Sequence, residues 1–250
     1  MQVTFIHHSC FLVEIDRKVL IFDYFRGDRI DGFSFKGRIP EFAPETEVYV
    51  FASHKHRDHF DPVILDWANS YPNIRYILSR DIHIKEELRQ RQLPEDIRSR
   101  ITFTVPGRKY KVGELEIETL RSTDAGVAYY IQANGISLFH AGDLADWVYE
   151  GCGELTNGMV TKNFRAEMRK LSGRPLNVAF VPMDPRQKEY MYRTVDFVLQ
   201  NTDAEYVFPM HMWQDYSGIA AYRKRVTNRH MAERLIEISR ENQIFPFGEE

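Results

Sequence analysis

Two cysteines in 250 residues, Cys10 and Cys152, are too few to staple a small secreted scaffold, and no apolar run approaches the 18 residues that a membrane-spanning helix needs. A hydrophobic core must therefore hold the chain together. At 43% hydrophobic and 13% aromatic content it can fill one, and its length suits one large domain better than two. An excess of charge of one sign is also missing, because 33 basic residues face 36 acidic ones for a formal net charge of -3. That balance leaves no basic footprint for nucleic acid or for an anionic membrane surface, so the expected partner is a small-molecule substrate. The start of the chain lacks a basic region leading into an apolar stretch and cleavage site, and no repeat, low-complexity segment or linker interrupts the remainder. These absences predict a soluble, cytoplasmic protein with a single domain over 1–250. Only the general frequency of homo-oligomers speaks for self-association.

What the chain does hold is a concentration of histidine. Of its 9 histidines, three fall in the run His54 Lys55 His56 Arg57 Asp58 His59, directly after the apolar stretch 48–52. Imidazole and carboxylate are donors suited to zinc, iron or manganese, and residues two apart on extended backbone point the same way, so His54 and His56 can grip one ion. Asp58 and His59 then face a second position. A solvated polar loop would not need this density of ligands at a strand end.

Alternating and continuous apolar runs predict strands at 3–6, 11–15, 18–23, 48–52, 75–78, 101–105, 115–120, 127–132, 136–140, 177–181 and 206–209. Asp61 followed by Pro62 reads as a cap with proline in the first turn, opening a helix to about 69. Further helical segments are expected at 82–90, 94–99, 146–171, 195–201 and 228–241. Two more strand ends carry ligand types. Strand 136–140 runs into His140 Ala141 Gly142 Asp143, where glycine permits a tight turn, and strand 206–209 runs into Met210 His211 Met212. Asp143 could otherwise be a turn residue, and His211 a core histidine between methionines.

The order HKHRDH, then Phe139 His140 Ala141 Gly142 Asp143, then Met210 His211 resembles the metallo-β-lactamase superfamily. The opening 6–12 and 20–23 are similar to its hydrolase branch that includes ascorbate-6-phosphate lactonase-like proteins. This resemblance implies a four-layer αββα sandwich of two mainly antiparallel sheets flanked by helices, with a helical insertion at about 146–172. It implies a dinuclear site of two divalent ions, zinc first and manganese or iron next: His54 and His56 on one ion, Asp58, His59 and His211 on the other, Asp143 bridging. It also implies a metal-bridging hydroxide that cleaves a small ester, lactone or phosphoester, with Asp58 helping to orient the nucleophile. A nuclease of the same fold, or a non-catalytic metal-binding or ligand-sensing protein, are the other readings.

The third histidine that this family gives its first metal is absent. Where it is expected the chain reads Ser122 Thr123 Asp124 Ala125 Gly126, so either Asp124 replaces the imidazole or it is a turn aspartate. His8 is a candidate to orient a ligand carboxylate, His140 to support the site or touch substrate, and Arg186 to bind a substrate carboxylate or phosphate. Trp147, Tyr149 and Phe164 either cap the site or pack on the sheet. His7, His83 and His230 read as structural or solvated, and the interleaved charges of 85–100 as a solvated face.

Overall fold

Short, nearly continuous apolar runs build the first sheet of the computed structural model, which describes residues 1–247. This sheet belongs to a unit formed by Met1–Val105 and the chain from Arg240 onward. Strands β1 (Gln2–His7), β2 (Cys10–Ile15) and β3 (Lys18–Phe22) pair antiparallel, and a terminal strand, Gln243–Pro246, adds to β1. From β3 the sheet turns parallel, through β4 (Glu47–Ala52), β5 (Arg75–Ser79) and β6 (Ile101–Thr104). One face presents Ile6, Leu12, Ile21, Val50 and Leu78 to a 3-10 helix, Pro62–Asn69, that buries Ile64, Leu65 and Ala68. The opposite face, with Phe5, Phe11, Phe22 and Phe51, is buried as well, which is why β4 reads as an unbroken apolar run. A one-turn helix, α1 (Glu87–Gln90), lies between β5 and β6.

The second unit, Pro106–Ser239, is built on the other sheet. Strands β7 (Lys109–Val112), β8 (Leu115–Arg121), β9 (Val127–Ala133) and β10 (Ile136–His140) form an antiparallel meander, and β11 (Val178–Pro182) and β12 (Tyr206–Met210) follow β10 in parallel. Both sheets are thus mixed, with three antiparallel and three parallel pairings among the described residues of the first and three antiparallel and two parallel in the second. Helices α2 (Glu154–Met168), α3 (Arg193–Asn201), α4 (Ser217–Arg225) and α5 (Arg229–Arg234) complete the unit. Helix α3 packs Val195, Val198 and Leu199, spaced for one helical face, against β11 and β12. No helix among the described residues is long and apolar enough to cross a membrane.

Several expected elements take other forms. The stretch 146–153 is irregular, because Gly151 and Gly153 adopt φ of 85° and 77°, so the insertion is helical only from Glu154. The expected helix at 228–241 ends with α5, since Leu235 instead bridges Val207 on the edge of β12 and is fully buried there. Most of 82–90 is likewise non-helical, and β7 and α4 are too polar to have stood out in sequence.

His7 shows how tightly the loop 26–44 is laid on the end of β1. A Cβ added to Gly37 would lie 2.3 Å from His7 Nδ1 and 2.4 Å from the Ile6 carbonyl oxygen. The His7 ring is fully buried, with ring centroids of Phe25 at 4.6 Å and Phe35 at 5.4 Å. Burial pushes its pKa down to about 4, against the smaller opposing pull of the Phe25 backbone. The unfolded chain, with His near 6.5, binds the extra proton first, so stability is full above about pH 6.5 and lost as pH falls toward 4. Urea unfolding at pH 7 and pH 4.5 should show a loss on the order of 2–3 kcal/mol from this group, and His7→Leu should flatten that slope. An unchanged slope in His7→Leu would assign the acid sensitivity elsewhere.

Candidate metal centre

The first unit runs four parallel strands in one direction, β3 to β6, and the second three, β10 to β12, and each unit collects its ligand-type side chains at the carboxyl ends of strands, where open sheets expose loops for chemistry. In the first unit β3 ends in Asp23 and β4 ends in Ser53 and His54. The parallel register pairs Phe22 with Phe51, and the Asp23 backbone donates to the Phe51 carbonyl at 2.9 Å, which fixes the carboxylate beside the start of the histidine loop.

Asp23 is buried and accepts three hydrogen bonds: from Ser53 N at 2.7 Å, Ser53 Oγ at 2.7 Å and His59 Nδ1 at 2.8 Å. Because the Ser53 hydroxyl spends its proton on Asp23, it accepts from His54 Nδ1 at 2.9 Å. Both imidazoles are thereby fixed in one tautomer by their Nδ1 donors, leaving each Nε2 with a lone pair. His54 Nε2 stands 2.9 Å from His56 Nδ1, and His59 Nε2 stands 3.7 Å from Asp58 Oδ2. The ligand atoms of His8, Asp58 and His59 lie within 4.8 Å of one another, with His8 Nε2 3.3 Å from Asp58. His8 and Asp23 hold φ of 48° and 46°, a conformation that costs non-glycine residues energy and marks positions the surrounding structure dictates.

The second unit repeats this logic. After β10, Gly142 at φ 50° turns the chain so that its backbone donates to His140 Nδ1 at 3.2 Å, and the Asp143 carbonyl receives Trp147 Nε1 at 2.9 Å. After β12, His211 at φ 63° donates from Nδ1 to Asp184 Oδ2 at 2.9 Å, which turns its Nε2 toward Asp143 Oδ1, 3.6 Å away. The His211 ring lies edge-on to Trp147 and Trp213, with centroids at 5.5 and 5.4 Å. Asp184 also accepts from Arg186 Nη2 at 2.6 Å and Trp213 Nε1 at 3.3 Å. Burial alone would raise its pKa, but the His211 and Arg186 hydrogen bonds outweigh it and hold the carboxyl well below the usual range. Asp124 is exposed, and its ligand atom lies within 4.8 Å of that of Asp143.

Both clusters suit a divalent cation. Imidazole lone pairs face an imidazole nitrogen in one case and carboxylates in two others, and two carboxylates share one neighbourhood, arrangements that positive charge relieves. Oxygen and nitrogen donors without thiolate fit zinc, manganese or iron.

Over residues 2–150 the sequence matches the beta-lactamase superfamily domain. The chain belongs to that family. Among solved structures, this beta-lactamase superfamily protein is similar to Igni18, a metallo hydrolase from the archaeon Ignicoccus hospitalis, at 18% identity and a TM-score of 0.63, covering 99% of each chain. It is also similar to the metallo-beta-lactamase fold protein YhfI from Bacillus subtilis, at 12% identity, TM-score 0.59 and 98% of each chain. An isothiocyanate hydrolase from Delia radicum gut bacteria matches at 14% identity, TM-score 0.56 and 99% of each chain. These likenesses show the metallo-hydrolase fold. No curated protein matches the chain.

Within this family fold the expected residues fall into distinct places. His54, His56, Asp58 and His59 share one loop of the first unit, and Asp124, Asp143 and His211 lie together in the second. His8 places its Nε2 3.3 Å from Asp58 Oδ2. His140 is buried and clamps the turn before Asp143. Arg186 is held on Asp184 and stacks 4.5 Å over Trp213, so it braces the carboxylate behind His211. Trp147 reaches the site, whereas Phe164 is core, packed on Phe197. Sequence reading gave Asp23 and Asp184 no role. Each follows a strand directly or one residue later, and that position was the available signal.

Proposed function

We propose that the protein is a metal-dependent hydrolase of a small ester, lactone or phosphoester, and that His54, His56, Asp58, His59, Asp124, Asp143 and His211 together hold two divalent ions, zinc first. The observation that carries this reading is the Asp23–Ser53 bracket, which aims the Nε2 lone pairs of His54 and His59 out of one loop. Membership of the beta-lactamase superfamily supports it. Asp124 in place of an imidazole gives one ion a harder, more anionic shell, which favours manganese or iron as the alternatives to zinc. Bound there, such ions supply Lewis acidity and lower the pKa of water toward neutrality, from about 16 to about 7 in the best-known zinc case.

The protein's own contribution is rigidity. Asp23 and Asp184 keep His59 and His211 in single tautomers, and His8 holds the Asp58 carboxylate. Arg186 pairs with Asp184 behind His211 and so holds that carboxylate in place. Cys10 and Cys152 are free thiols, in keeping with the reducing cytoplasm where we place this activity.

A test uses a chromogenic phosphodiester and a simple lactone. Turnover should vanish on chelation, return with zinc or manganese, and be lost in His56→Ala. Folded, metal-loaded protein that turns over neither substrate nor any member of a wider ester panel would favour a sensor. Activity undiminished in His56→Ala would place the reaction elsewhere.

A further inference from the structure

Beside β6, the segment leading from β5 into α1 leaves a groove of about 620 Å³ on the first unit, a size that holds a small organic ligand. Its floor is apolar, made by Ile82, Ile84, Leu88 and Phe103, and the Phe103 ring is 44% exposed on its strand. Its polar rim is wholly basic: Arg80, His83, Lys85 and Arg98, with no carboxylate among the lining residues. In a chain of net charge -3 this is a local reversal of sign.

The cations of this stretch divide into two sets. Arg89, Arg91 and Arg100 pair with Glu86, with Glu87 and Asp66, and with Asp96 respectively. Arg80, Lys85 and Arg98 form no ion pair among the described residues. Partners were close in sequence, since Asp81 precedes Lys85 by four and Glu95 precedes Arg98 by three. Asp81 turns instead to the Lys55 backbone, accepting at 3.3 Å, which sets the groove next to the histidine loop without including any of its ligands.

We propose that this groove binds an amphipathic anion, one carboxylate or phosphate head on an apolar chain or ring, with the body on Phe103 and Leu88 and the head between Lys85 and Arg98. Apolar contact alone would accept a neutral molecule and positive charge alone would accept any anion; the two together select for both features. The proposal is independent of what the metal centre hydrolyses.

Calorimetric titration of the metal-loaded full-length protein with dodecanoate and with dodecyl phosphate, below their micelle concentrations, tests it. One saturable site is expected, and the tighter of the two anions identifies the head group. Dodecanol and inorganic phosphate, each lacking one half of the ligand, should bind at least about tenfold more weakly. Phe103→Ser should weaken binding about tenfold, and the double variant Lys85→Glu, Arg98→Glu by about thirtyfold or more, with circular dichroism and metal content unchanged. Absence of a saturable site, equal binding by the charge-reversed variant, or equal binding of inorganic phosphate or a short single-stranded RNA would overturn the proposal.

Discussion

Asp143→Ala is expected to lower kcat/KM by about three orders of magnitude or more, roughly 4 kcal/mol of transition-state stabilisation, while leaving the protein folded. Asp143 is buried beside the Nε2 of His211 and near the carboxylate of Asp124, so in metal-free protein its charge is a liability. Removing it relieves that repulsion. The metal-free variant should therefore melt no lower than metal-free wild type, whereas the stabilisation that wild type gains on adding zinc should shrink in the variant. A matching loss of activity and of metal-free stability would instead mean that Asp143 is a structural carboxylate.

The second large effect belongs to a residue that touches no proposed metal. Asp23→Asn keeps the shape of the side chain but faces three donors, Ser53 N, Ser53 Oγ and His59 Nδ1, with an amide that brings donors of its own. His59 then loses the partner that fixes its tautomer, and Ser53 no longer has a single place for its proton. Metal affinity should fall about 10- to 100-fold, read by competition with a chromophoric chelator. Stability of the metal-free protein should fall too, by about 2–4 kcal/mol, because donors to a buried charge are left unmatched. Unchanged affinity with lowered stability would reduce Asp23 to a packing role. Asp184→Asn is the corresponding change behind His211, where Arg186 and Trp213 also lose their acceptor.

How far such roles can be read from sequence depends on whether they are local. The run 48–52 followed by HKHRDH announces a buried strand and a cluster of ligand-type side chains within twelve residues, and His140 Ala141 Gly142 Asp143 does the same at β10. His211 needed only the end of an apolar strand. Asp23 is different, because its partners Ser53 and His59 are 30 and 36 residues away and meet it only through the parallel register of β3 and β4. Asp184 similarly meets His211 across 27 residues through β11 and β12. In sequence each is one more aspartate at a strand exit. The helical tail failed for a related reason: Leu235 and Ile238 have helical spacing with their neighbours, but the open edge of β12 draws Leu235 into extended backbone.

Asp124 is the residue on which the two-ion reading turns, since the family resemblance leads one to expect a third histidine there and its carboxylate lies within 4.8 Å of that of Asp143. Elemental analysis of protein purified without chelator, alongside Asp124→Ala, is the direct measurement. About two metal equivalents per chain, falling to about one in the variant, is the predicted result. One equivalent or none in the wild type, persisting after incubation with zinc, manganese and iron, would contradict a dinuclear centre.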